Sequence, residues 1–394
     1  LAYHPDLTTS GDDAEYILLS RSLAAGHGMT LYGEPSRYPA GFPALLCLTD
    51  GWGGIEAHKA WAAASYVGLV ALSATWGGWL AGLGVLLSPV LLWMSGQVMA
   101  DLPFAFLVLL GVGLTARGRF VWGVLVLAAN CWLKSAGLAF LVGALVVEVW
   151  QGRRWPALLW GSLCLTWALL SLGSGYGGQT GLTDGVATVA QRAVANIAFY
   201  WTQAPEVALL LVPLVAMSAR WAAPLLVYAG MLLVWPWPAH RLLVPAIPLL
   251  WCALLPWEAW MVRRVGFPWV SGRWVVPAVA LLLVLRTGQG CTLLPAPLTG
   301  PWAEYRAVGA WLAEHSASGD TIWATKPHQM AVWTGRPAVR HPWRLKAAAS
   351  HVRFVVLDRL RDPPNAALLA AAQAAGWVVR HQVGGTYVLE RKAP

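Results

Sequence analysis

Met99 to Arg154 reads MADLPFAFLVLLGVGLTARGRFVWGVLVLAANCWLKSAGLAFLVGALVVEVWQGRR. Three apolar runs, 102–116, 120–134 and 136–150, are parted by Arg117 and Arg119 and by Lys134-Ser135, and are closed by Arg153 and Arg154. Each approaches the roughly 17–25 residues that a helix needs to cross a hydrocarbon layer. The pattern continues on both sides. Runs at 58–75, 79–94, 155–172, 205–219, 221–236, 242–258 and 274–288 complete a set of about ten expected spans. Several are short, so tilts or kinks are expected.

The composition of the 394 residues agrees: 58% are hydrophobic and 11% charged, against about 25% charged in soluble domains. Mean hydropathy is +0.56. One aqueous core does not hide so much apolar surface, which excludes an ordinary cytosolic enzyme and a disordered chain. The net charge of +9 is first a topology signal, and no nucleic-acid partner is expected. Cys47, Cys131, Cys164, Cys252 and Cys291 have no Cys-x-x-Cys spacing, so neither a disulfide framework nor a zinc site is supported.

Basic residues orient the array, because Lys and Arg collect in short cytoplasmic loops. Arg117 and Arg119, Arg153 and Arg154, Arg220, and then Arg263, Arg264 and Arg273 follow alternate spans, and so share one side. With that side cytoplasmic, residues 1–57, the loop 173–204 and everything after about Gln289 face outward. An outer N-terminus without a visible signal peptide argues for a further transmembrane helix before Leu1, which would make eleven. Two outer stretches are amphipathic at helical spacing: Ala14 to Ala25, through Tyr16, Leu19 and Leu23, and Asp184 to Gln203, through Val186, Val189, Val194, Ile197 and Trp201. They are expected in the membrane interface or packed on the outer domain.

From about Pro301 the composition becomes that of a soluble domain. Helices are expected at Trp302 to His315 and Asn365 to Ala375, and strands at Thr321 to Thr325, Val352 to Leu357, Trp377 to Arg380 and Thr386 to Glu390. The expected fold is therefore mainly α: a polytopic membrane protein with a first outer loop (1–57), a transmembrane helix bundle (58–290) and a small α/β outer domain (291–394).

Ionisable groups at membrane depth are expensive, which makes the few that interrupt these runs the best pointers to chemistry. Asp101 opens the third span, Lys134 ends the fourth, and His240 and Arg241 precede the ninth. All fall on the outer side, with the acidic segment Gly11-Asp12-Asp13-Ala14-Glu15-Tyr16. Carboxylates beside cations there would suit activation of a nucleophile and retention of an anionic leaving group. Blander roles compete. Lys134 and Arg241 could snorkel to headgroups, Asp101 could cap a helix, and Asp12 and Asp13 could be a solvated pair capping the next one.

Gly11 to Tyr16, followed by Leu23-Ala24-Ala25-Gly26-His27-Gly28 and Tyr38-Pro39-Ala40-Gly41-Phe42-Pro43, resembles the first outer loop of GT-C glycosyltransferases, of the bacterial protein O-mannosyltransferase and aminoarabinose transferase superfamily. Met99 to Phe104 is similar to that family's second acidic motif, Lys134-Ser135-Ala136-Gly137 to its Lys-Gly-Pro-x-Gly stretch, and Arg241-Leu242-Leu243-Val244-Pro245 to its Arg-Tyr-x-x-Pro stretch. Lys326-Pro327 and Trp333-Thr334-Gly335-Arg336-Pro337 resemble the outer domain of many members. This chain departs at Lys-Ser-Ala, and at Pro-Ala-Gly in place of Pro-Pro-Gly.

The resemblance implies transfer of a sugar, with inversion, from a polyprenyl-phosphate donor to a lipid, protein or glycan acceptor on the outer side of the plasma (inner) membrane. It implies Asp12 as catalytic base with Asp13 as the second acid, and Lys134 and Arg241 on the lipid phosphate. His240, Asp101, Glu15 and Tyr38 are further substrate-binding candidates. No cofactor is required, and a divalent cation between the acids stays open. The rival reading is a transporter or lipid flippase, with Asp101, Lys134 and Arg241 lining a pathway; a non-catalytic scaffold would leave the embedded charges unexplained.

Overall fold

The computed structural model describes residues 6–8, 11–172, 186–203, 218–236, 239–253, 298–340, 352–360 and 366–391. The expected spans 205–219 and 274–288 lie almost wholly outside these residues, as does the second half of 242–258. The chain divides into two compact units: a helical one of residues 1–3, 36–49 and 57–294, and a sheet-containing one of residues 4–35, 50–56 and 295–394. The first loop therefore contributes to both.

In the helical unit, α2 (Gly41–Cys47) precedes α3 (Ile55–Leu86), α4 (Pro89–Met94), α5 (Asp101–Ala116), α6 (Phe120–Leu133), α7 (Gly137–Trp150), α8 (Arg154–Leu172), α9 (Val186–Gln203) and α10 (Ala219–Val234). A 3-10 turn follows at His240–Leu243, then helix over 246–253. α3 is the one helix among the described residues long and apolar enough to cross a membrane; α5, α6, α7 and α10 are shorter apolar helices. α3 is not straight. Gly78 takes φ 78 and ψ 173, outside the helical region. The chain doubles back there, so that the Tyr66 hydroxyl donates to the Leu86 carbonyl and Gly82 lies against Ala74. The second expected span, 79–94, is thus broken: its first half completes α3, and Ser88-Pro89 starts the separate α4.

Small residues set the helix spacing. A Cβ on Gly111 would stand 2.5 Å from Leu127 Cγ, and one on Gly123 would strike the Thr115 methyl, so α5 and α6 meet at backbone distance. Gly143 likewise lies on the Pro224 backbone and joins α7 to α10. This is how helices pack where lipid removes any hydrophobic drive between them. The outer surface is apolar: Trp122, Trp150 and Trp155 are 65%, 76% and 82% exposed. Such exposure is costly in water and favourable in lipid. On α9, Val194 and Ile197 face out while Asn196 is buried, its amide nitrogen donating to the carbonyls of Leu232, Leu233 and Trp235 at 3.0, 2.9 and 2.8 Å.

In the sheet unit, α1 (Asp12–Ala24) leads to a hairpin of β1 (Thr30–Leu31) and β2 (Glu34–Pro35). From Pro301 the order is α11 (Pro301–His315), β3 (Thr321–Ala324), α12 (Pro327–Thr334), β4 (Ala338–Arg340), β5 (Val352–Leu357), α13 (Ala366–Ala374), β6 (Trp377–Val383) and β7 (Thr386–Arg391). The sheet runs β4-β3-β5-β7-β6, parallel across its first three strands and antiparallel beyond, with register Ile322↔Ala338, Ile322↔Phe354 and Val356↔Val388. Alternate side chains go to opposite faces. Ile322, Ala324, Phe354, Val356 and Val388 meet Tyr305, Val308 and Leu312 of α11, Met330 of α12 and Leu18 of α1. Trp323, Val355, Leu357 and Leu389 meet Ala372 of α13 and Trp377. Both faces are covered, which explains the nearly continuous burial along β5. The helix α12 and strand β4 were not anticipated.

Candidate active site

Lys134 stops α6. Its backbone is extended, φ −148 and ψ 133, and its carbonyl takes the Gly137 N–H at 2.9 Å, so Lys134-Ser135-Ala136 turns the chain from α6 into α7. Its ammonium lies 2.7 Å from Oδ1 of Asp101, the first residue of α5; the side chains are 20% and 3% exposed. An ammonium carries three N–H donors, and Asp101 takes one at a fixed direction. The carboxylate also explains its own position, since an acid in the first turn meets the positive end of the helix dipole.

Two other sequence candidates, Tyr38 and Arg241, belong to the same helical unit. A Cβ on Gly41 would sit 2.5 Å from the Trp132 carbonyl, so the Pro39-Ala40-Gly41 stretch lies against the end of α6 and only glycine fits. Tyr38 is half-buried just before it, with the Arg37 guanidinium 5.2 Å above its ring. From Lys134 an aromatic series runs through Phe104 (5.9 Å from the ammonium), Phe140 (6.1 Å on) and Tyr228 (4.6 Å on). The Tyr228 hydroxyl donates to the Leu242 carbonyl at 2.6 Å. That bond fixes the 3-10 turn holding His240 and the half-buried Arg241.

The acids of the first loop belong to the sheet unit. α1 starts at Gly11, whose φ of 94 suits glycine, with no side-chain cap. Asp12 and Asp13 are its first two residues. Asp13 is 1% exposed; its carboxylate accepts the Thr8 N–H and, at 2.9 Å, the Ala14 N–H. Burial raises its pKa from 3.8 to about 6, the hydrogen bonds opposing the rise. Asp12 is half-buried. Glu15, one turn on, lies 3.0 Å from Nδ1 of His328 on α12. The Tyr32 ring, at the tip of the β1-β2 hairpin, stacks on His328 at 6.1 Å. Gln329 is 1% exposed and donates to the Thr8 carbonyl at 3.2 Å. Arg306 binds Asp6 at 2.8 Å.

No family model matches the sequence, and no curated protein matches it. Among solved structures, the aminoarabinose transferase ArnT from Cupriavidus metallidurans in the apo state is similar over 98% of this chain and 93% of its own, with a TM-score of 0.63 and 14% identity. The chain has a GT-C fold. ArnT bound to undecaprenyl phosphate gives the same TM-score of 0.63 at 15% identity, over 98% and 94% of the two chains. An Archaeoglobus fulgidus oligosaccharyltransferase tethered to an acceptor peptide gives 0.48 at 11% identity, over 90% of this chain and 65% of that one.

On this GT-C fold the structure joins Asp101 to Lys134 and Glu15 to His328, and sets Asp12 beside Asp13. Among the described residues, no group of three or more His, Cys, Asp or Glu stands ready to hold a metal. Sequence reasoning passed over His328 and Gln329, which lie on the unanticipated α12. It also passed over the buried Lys59 and His58 in the first turn of α3, and Glu148, 3.8 Å from Arg153 and 3.9 Å from Arg220. A charge inside an apolar run was the available signal for Lys59 and Glu148.

Proposed function

We propose that the chain is a membrane-embedded inverting glycosyltransferase that moves a sugar from a polyprenyl-phosphate donor to an acceptor on the extracytoplasmic side. The observation that carries this reading is the Lys134–Asp101 pair at the ends of α6 and α5, beside the Gly41 stretch, on a fold shared with a transferase solved with undecaprenyl phosphate.

Asp12 takes the proton from an acceptor hydroxyl or amine while that atom attacks the anomeric carbon. The bond from that carbon to the phosphate oxygen breaks in line, and the polyprenyl phosphate leaves with its electron pair. Lys134, aimed by Asp101, and Arg241 hold the phosphate as its charge grows. His240 and Tyr38 are assigned to the phosphate and sugar, and Glu15 keeps its place through His328. Asp13, enclosed among backbone donors, shapes the turn rather than meeting the acceptor.

The test uses purified protein in proteoliposomes, with undecaprenyl-phosphate sugars beginning with aminoarabinose, and lipid extract as acceptor. Asp12→Asn is expected to abolish transfer with the protein still folded, and near-normal turnover removes Asp12 as base. Lys134→Ala is expected to weaken donor use by about 10–100-fold. An unchanged donor dependence returns Lys134 to a headgroup role.

A further inference from the structure

Consecutive residues of α12 grip the start of α1 at two levels. Below, the buried Gln329 amide donates to the Thr8 carbonyl, and lies so close to Gly11 that a Cβ there would meet it at 3.2 Å. Thr8 in turn donates its N–H to Asp13. Above, His328 holds Glu15 at 3.0 Å, and Tyr32 covers the imidazole. The Tyr32-Gly33 turn places that ring: both residues have positive φ, 54 and 86, as a tight two-residue hairpin requires. Asp12 stands between the two grips, preceded by the Gly11 joint and followed within one turn by Glu15. A buried primary amide that donates to a loop carbonyl is a costly way to fill space, because an apolar side chain would pack there without desolvation.

We infer that Gln329 and His328 are positioning residues that fix the direction of the Asp12 carboxylate, so that the C-terminal sheet sets the efficiency of acceptor deprotonation. This rests on the reading of Asp12 as base. A general base displaced by about 1 Å loses on the order of 100-fold in rate, whereas donor binding at Lys134 and Arg241 does not depend on it.

The experiment uses the full chain with Gln329→Met, which keeps the length and removes the donor. Two readouts are taken. Hydrogen exchange over residues 6–16 in detergent is expected to quicken about 10-fold, and kcat with undecaprenyl-phosphate aminoarabinose to fall about 100-fold at unchanged donor KM. His328→Phe, which keeps the stack on Tyr32 but not the donor to Glu15, is expected to behave likewise. His328→Asn, which keeps a donor, is expected to restore most of kcat. Should Gln329→Met fail to assemble, the two His328 variants carry the test. Unchanged exchange overturns the inference whatever the activity. Faster exchange with wild-type kcat, or a loss confined to donor KM, also overturns it. Faster exchange in a protein whose wild type transfers no sugar supports the grip and rejects the glycosyltransferase reading instead.

Discussion

Asp13 shows how one enclosed carboxyl links local geometry to pH. Its pKa in the fold, about 6, lies above the ordinary 3.8, so the fold favours the protonated acid. The stability it contributes is complete below about pH 4 and is lost as pH rises through about 6. The displacement is worth about 3 kcal/mol at neutral pH. Asp13→Asn keeps an acceptor for the Thr8 N–H and removes the charge. The variant is expected to melt above the wild type at pH 7.5, and the gap to narrow toward pH 4.5, as measured by thermal unfolding in detergent; a gap independent of pH refutes the assignment. At this scale the sequence displayed the charged residues and little of their pairing. Asp101 and Lys134 are 33 positions apart, and only the meeting of two helix ends makes them partners. Glu15 read as a substrate contact because His328 is brought to it by long-range packing.

Among the elements, α9 and α10 depend on one amide. Asn196 donates to the carbonyls of Leu232, Leu233 and Trp235, in the last turn and C-cap of α10, where a helix runs out of its own N–H partners. Asn196→Ala is expected to cost about 1–3 kcal/mol. Asn196→Asp, which offers acceptors and a negative charge to the negative end of the helix dipole, is expected to cost more. Melting temperatures ordered wild type, Ala, Asp check this, and Asp equal to wild type contradicts it. Helices with long apolar periodicity were legible: α5, α6 and α7 lie within a few residues of the runs that announced them. The gap between the runs 58–75 and 79–94 holds Gly78, where the chain reverses. Invisible were elements too short to carry a period, such as α12 and β4. α12 is bounded only by Pro327 and by Gly335 at φ 65.

For the whole molecule, fold and function separate. A fold shared with ArnT at 14% identity specifies where helices run, while the proposed chemistry rests on the few charges that survive within apolar surroundings. Topology is the property to test at this scale. With the native cysteines replaced, Gln151→Cys is expected to react with an impermeant maleimide only from the cytoplasmic side, and Ser318→Cys only from the outside; both positions are exposed. Labelling of both from one side contradicts the orientation read from the arginines.

The division of the first loop constrains how such a protein can diversify. Residues 4–35 are compact with residues 295–394, although some 260 positions separate them in the sequence. A graft of the C-terminal sheet alone onto a related bundle would sever Asp6 from Arg306, Thr8 from Gln329 and Glu15 from His328. A graft that transplants the opening segment with it would keep all three. The two ends of the chain are expected to drift together, each recording the substitutions the other has accepted.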